Sequence, residues 1–147
     1  MAELLAEINT IIQTGTTQAG STHATWPVYA GGLPDSTFIN DRAVGLLHGP
    51  GMPDMGSDSS GSIWMERPNV QVLVRGLPIN QYSTSYPEAI AVAQAVKNAL
   101  HGFGGLSSAG GSFYTGIWAE NGPAFIGYDQ AGRPIFSSNF RVYRSKS

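Results

Sequence analysis

Asn69-Val70-Gln71-Val72-Leu73-Val74-Arg75 is the stretch on which the fold turns. Val70, Val72 and Val74 fall on one side, and Gln71, Leu73 and Arg75 on the other. A period of two with β-branched residues predicts a strand. Gly76 and Pro78 end it. After a connection over 79–85, Ser85 stands where a helix cap belongs. Tyr86 to Leu100 then reads as a helix with Pro87 in its first turn. Tyr86, Ile90, Ala93, Lys97 and Leu100 trace one stripe, widened by Val92, Val96 and Ala99. The many alanines allow this helix to pack closely against a sheet or a second helix.

Upstream, Glu3 to Thr14 reads as an amphipathic helix. Leu4, Leu5, Ile8, Ile11 and Ile12 recur at helical spacing. Glu3 and Glu7 lie in the first turns, where the helix dipole favours negative charge, and Gly15 marks the stop. Trp26 to Ala30 and Arg42 to Leu47 are strand candidates, and 35–40 is ambiguous. Residues 49–62 read GPGMPDMGSDSSGS, with no aromatic residue and no periodicity. Such a segment buries too little apolar surface to offset its ordering entropy. The expectation is therefore a flexible loop over 49–62.

Downstream, 102–112 is a glycine-rich turn. Phe113 to Glu120 reads as a strand in which Phe113, Thr115, Ile117 and Ala119 alternate with Tyr114, Gly116, Trp118 and Glu120. Pro123 to Tyr128 reads as a second, short strand. Asp129-Gln130-Ala131-Gly132 is a tight-turn candidate. Pro134 to Tyr143 is a long final strand with Phe136, Ser138, Phe140 and Val142 on one face. Together these elements predict a single α+β domain over 1–147: an antiparallel or mixed sheet of about five strands, with helices packed on one face. Trp118, Ile135 and Tyr143 lie on strand faces that a subunit contact would cover.

Composition narrows the function. The chain has 147 residues, 12% of them charged, with 19 glycines, no cysteine and a formal net charge of −2. Low charge suits large permanent protein contacts, because neutral polar groups cost less to desolvate than ions. A protein that wraps nucleic acid would be strongly basic, although Arg133, Arg141, Arg144 and Lys146 make the last strand locally positive. A solvated strand edge is the reading of those charges, with phosphate contact as the alternative. Disulfides and thiolate chemistry are excluded. The N-terminus lacks the basic region of a signal peptide, and no apolar run reaches the length of a membrane span. Assembly in a cytoplasm-like compartment is the expectation.

Catalytic constellations do not emerge. G-x-S-x-G, S-x-x-K and G-x-x-x-x-G-K-[ST] do not occur. His23, His48 and His101 stand alone, without metal-ligand spacing. Asp54 and Asp58 do not fit the calcium-loop pattern. No cofactor, metal or catalytic residue is assigned. The rival reading from another class is a small hydrolase or ligand-binding domain with a pocket formed by two of Asp35, Asp41, Glu66, Glu88 and Glu120.

Two segments carry a resemblance. One is Arg67-Pro68-Asn69-Val70-Gln71-Val72-Leu73-Val74-Arg75-Gly76 with the alanine-rich helix ending in Leu100-His101-Gly102. The other is 127–142, GYDQAGRPIFSSNFRV. With Leu33-Pro34 as an upstream turn, they resemble the minor capsid or tail-terminator proteins of long-tailed bacteriophages. The resemblance implies a structural virion protein assembled in the host cytoplasm. It also implies a ring, commonly of six copies, that caps the tail tube and docks to the head connector. The implied partners are further copies of the chain, the tube protein and the connector or stopper, with genomic DNA near the channel and no membrane. A stopper below the portal is the alternative station. Candidate subunit-interface or channel residues are Arg75, Asp129, Arg133, Arg141, Asp54 and Asp58.

Overall fold

The structure is a computed structural model that describes residues 2–18, 26–33, 42–55, 65–81, 83–106 and 113–145. In chain order the elements are α1 (Ala2–Gln18), β1 (Val28–Ala30), β2 (Ala43–Met55), β3 (Met65–Arg75), α2 (Ser85–Leu100), β4 (Gly105–Leu106), β5 (Phe113–Tyr128) and β6 (Pro134–Ser145). They form an α+β fold. The six strands make one mixed sheet in the order β1-β2-β3-β6-β5-β4. Only β1 and β2 run parallel, and the other neighbours are antiparallel.

The alternation of β3 is realised as read. Val70, Val72 and Val74 are buried, and each faces a residue of the same side on both neighbours: Val72 lies between Leu46 and Ser138, and Val74 between Val44 and Phe136. β6 follows the same rule, burying Phe136, Ser138, Phe140 and Val142. α1 and α2 pack on this face and on each other. One apolar cluster joins Leu4, Ile8, Ile11 and Ile12 of α1, Val92 and Val96 of α2, and the valine face of the sheet.

Several elements differ from the sequence reading. α1 runs through Gly15 to Gln18; a glycine inside a helix costs only about 1 kcal/mol, too little to force a stop. α2 is rotated from the stripe read for it. Ser85, Ala89, Val92, Ala93, Val96 and Leu100 are buried while Ile90 is exposed. The small residues are the ones turned inward, because the first turn of α2 rides close over the end of β3. A Cβ on Gly76 would lie 2.8 Å from Ser85 Oγ and 3.1 Å from Ala89 Cβ. Ser85 does not cap the helix; it is its first residue and its hydroxyl donates to the Leu77 carbonyl.

The flexible loop expected over 49–62 is corrected for its first half. β2 continues to Met55, paired with β3 as far as Met55↔Met65. The register slips between Gly49 and Met52 and again between Met52 and Met55. Such bulges admit residues that regular pairing rejects. Gly51 has φ +64°, and a Cβ there would lie 2.7 Å from Pro68 Cα. The glycines that read as disorder are thus what lets the two strands approach. Residues 56–62 lie outside the described residues, as does the ambiguous segment 35–40.

β5 is likewise one strand where two were read, with register shifts at four places. The first, between Tyr114 and Gly116, breaks the alternation, so Tyr114 and Ile117 both reach the core.

The basic last strand is not an edge. β6 lies between β3 and β5, and Arg144 is 8% exposed. Its Nη1 donates to Glu7 Oε1 at 2.8 Å, its Nε donates to Glu66 Oε2 at 3.0 Å, and its Nη2 also reaches Glu66. Glu7 is 2% exposed and also accepts from the Tyr114 hydroxyl at 3.1 Å. Burial, followed by the charge of Glu7, drives the Tyr114 phenol well above its ordinary pKa. Glu7 is therefore a buried anchor that ties α1 to the sheet, not a solvated charge at the helix start.

Arg144→Ala leaves Glu7 buried without its cation, a change that typically costs about 3–5 kcal/mol. Tyr114→Phe removes one hydrogen bond and costs about 1 kcal/mol. Urea unfolding of the two variants at neutral pH is expected to rank them in that order, Arg144→Ala far below Tyr114→Phe.

Candidate functional site

The face of β3, β6 and β5 turned away from the helices is built from cross-strand pairs. Gln71 Nε2 donates to Ser137 Oγ at 3.0 Å, and Asn139 Nδ2 donates to Asn121 Oδ1 at 2.9 Å. Neutral pairs of this kind lose little when water leaves them. At one end of this face the register places Tyr143 opposite Gly116 and Arg141 opposite Trp118. Gly116 matters here because the Trp118 ring lies over it; a Cβ at Gly116 would sit 2.7 Å from the ring carbons. The Trp118 and Tyr143 rings meet edge to face at 5.2 Å.

Glu120 enters this region through a register shift between Ala119 and Asn121. Its Oε2 accepts from Arg141 Nη2 at 3.3 Å. With the Asn69 amide oriented so that its nitrogen donates, that nitrogen reaches Glu120 Oε1 at 2.9 Å and the Phe140 carbonyl at 3.2 Å. Tyr143 first, and then Glu120, hold Arg141 above its ordinary pKa. Trp118, Glu120, Arg141 and Tyr143 line an open depression of about 400 Å³. Trp118 is 44% exposed, a large apolar area left to solvent.

At the other end of β5 and β6, the turn over 129–132 forms as read. Gly132 has φ +79°, and its N–H donates to the Asp129 carbonyl at 2.9 Å. Asp129 Oδ1 accepts from the backbone N–H groups of Ala131 and Arg133, while Oδ2 accepts from Arg133 Nε at 2.7 Å. Partial burial pushes the Asp129 carboxyl up, but the Arg133 N–H and guanidinium outweigh it and hold its pKa below the ordinary value. Beside the turn, Phe136 is buried and Phe125 packs on it at 5.5 Å. Tyr86 of α2 meets both rings, at 5.1 and 5.2 Å, and Tyr128 meets Phe125 at 5.0 Å. Phe125, Ile126 and Tyr128 remain exposed.

The residues singled out from sequence divide accordingly. Asp129 and Arg133 come together but secure the turn, and Arg133 is buried. Arg75 is 2% exposed at the end of β3. Both arginines are thus largely enclosed within the single chain. Arg141 alone of the three is half-exposed, on the sheet face. Asp54 falls within β2, and Asp58 lies outside the described residues. Of the acids weighed for a hydrolase, Glu66 pairs with Arg144, Glu88 with Arg42 at 2.8 Å, and Glu120 with Arg141. Asp35 and Asp41 lie outside the described residues. Among the described residues no group of three or more His, Cys, Asp or Glu is placed to hold a metal, and no helix is long and apolar enough to cross a membrane.

Residues 9–144 match the family model described as bacteriophage tail terminator protein. A chain from the solved "Virion of native gene transfer agent (GTA) particle" superposes with a TM-score of 0.58. The two are 21% identical, and the alignment covers 91% of this chain and 94% of that one, a likeness of fold. No curated protein sequence matches.

The Asp129 pair carries a pH signature. Its depressed pKa adds stability that is present above the ordinary carboxylate value of 3.8 and lost as pH falls through the lower folded value. Asp129→Asn is expected to be less stable than the parent by about 1 kcal/mol at pH 7. In urea unfolding the gap closes once the pH falls well below 3.8.

Proposed function

The chain belongs to the bacteriophage tail terminator protein family, and from that membership we propose that it forms a ring at the head-proximal end of a tail tube. The family is one of structural tail proteins, which makes the chain a virion component. The match over residues 9–144, which runs from the middle of α1 to the penultimate residue of β6, carries the reading. A ring of copies, six in the proposal, binds the last tube ring, stops elongation and offers a new surface to the head connector or stopper. Closed cyclic symmetry supplies the mechanism, because a closed ring leaves no free copy of the contact that drives growth.

The physical character of the chain supports this. The sheet face away from the helices combines neutral amide and hydroxyl pairs with an aromatic corner beside a single Arg141–Glu120 ion pair, a surface suited to lasting contact. Its three buried arginines, Arg75, Arg133 and Arg144, are used within the fold. Arg141, part-exposed on the sheet face, is the arginine we propose for a channel role near DNA.

Deleting the gene from its phage tests the proposal. Electron microscopy is expected to show overlong tubes beside full, tailless heads. Tails of normal length beside leaking or empty heads would place the protein on the head side as a stopper. Intact virions would refute the structural role.

A further inference from the structure

The two ends of the β5–β6 hairpin carry complementary features. The depression beside Trp118 and Tyr143 is lined by these two rings and by the Arg141–Glu120 pair. At the far end, Ile126 is 59% exposed, above Phe113, Trp118, Phe125 and Tyr128. The pairing passes from Phe125↔Phe136 to Gly127↔Ile135, so Ile126 is the extra residue of a bulge. A bulge re-aims a side chain away from the sheet and leaves the extra residue out of the ladder. It therefore presents an apolar knob at the end of the hairpin.

Among the described residues, no strand pairs with the outer side of β5 near this knob. β4 pairs only with Phe113 and Tyr114, and the segment over 102–103 covers β5 only at Ile117. From Asn121 to Tyr128 no strand of the described residues lies on the outer side of β5. A bare edge with exposed apolar residues is an aggregation hazard unless assembly covers it. Trp118 pairs with Arg141 and Ile126 lies beside Phe136 and Ile135, a separation of roughly 18 Å along the ladder, so a knob cannot reach the depression of its own chain.

We propose that Ile126 of one copy inserts into the Trp118–Tyr143 depression of the next copy, which makes this knob and socket the contact that propagates around the ring. The inference rests on the ring reading above and names the surfaces of that contact. The contact is heterologous: each copy gives its knob to one neighbour and takes a knob from the other, which closes a ring when the rotation allows.

The test uses the full chain, the variants Ile126→Glu and Trp118→Ala, and light scattering after size exclusion. The wild-type chain is expected to pass from monomer to ring as concentration rises. Each variant alone is expected to stay monomeric at concentrations about tenfold higher or more, the usual loss when a central contact residue is removed. Mixed one to one, the two variants are expected to form a heterodimer and stop there. The Trp118→Ala copy still has its knob, the Ile126→Glu copy still has its socket, and the second contact is defective in both. Recovery of the heterodimer also proves that both variants are folded. Rings from either variant alone, or no heterodimer on mixing, would overturn the knob and socket while leaving the ring reading in place. A wild-type chain that stays monomeric at every concentration would overturn both.

Discussion

The guanidinium of Arg144 holds the sheet and its covering layer in one register. It lies near the end of β6, buried, between Glu7 of α1 and Glu66 of β3, with the Tyr114 hydroxyl of β5 closing the cluster. Four elements that are remote in sequence thus share one charged centre. Buried ions of this kind are costly to desolvate, so their net contribution to stability is small. Their effect is on choice among packings: any slip of β6 against β3, or of α1 over the sheet, strands a buried charge. The apolar cluster supplies the driving force and rules out a slip of one residue, which would turn the valines away from the core, but a slip of two returns apolar residues to the same face and is opposed mainly by the charged centre.

The same centre explains how the last strand comes to carry the proposed assembly surface. With β6 locked between β3 and β5, its alternate residues are divided strictly between two faces. Phe136, Phe140 and Val142 enter the core, while Asn139, Arg141 and Tyr143 form the face away from the helices. Tyr143 then meets Trp118 across the ladder, and Arg141 meets Glu120. The core and the proposed interface are two sides of one strand, so one constraint positions both.

How much of this was legible in the sequence follows from what each segment had to satisfy. β3 and β6 are flanked on both sides and regular, and their period of two gave the correct faces from residues alone. β2 and β5 carry bulges, and a bulge shifts the phase of every residue beyond it. Tyr114 and Ile117 reach one face, which no strict alternation allows. Gly51 and its neighbours read as disorder, since their composition hides that glycine is what permits the close approach to Pro68. Strand order was not legible either. A strand rich in arginine at the end of the chain reads as an edge, and only the acids brought to it from positions 7, 66, 120 and 129 make a central place tolerable. Among the residues of the proposed interface, Trp118 and Tyr143 stood out as aromatics on the face away from the core. Ile126 carried no signal, because its exposure depends on a register shift that has no motif.

Tube length control by this chain is the central claim, and a polymerisation assay measures it most directly. Purified tube protein of the same phage would be set to polymerise with increasing amounts of this chain, and tube lengths would be measured by electron microscopy. The account predicts that mean length falls as the ratio of this chain to tube protein rises, with the chain found at one end of each tube. Lengths independent of that ratio, or the chain distributed along the tube wall, would contradict it.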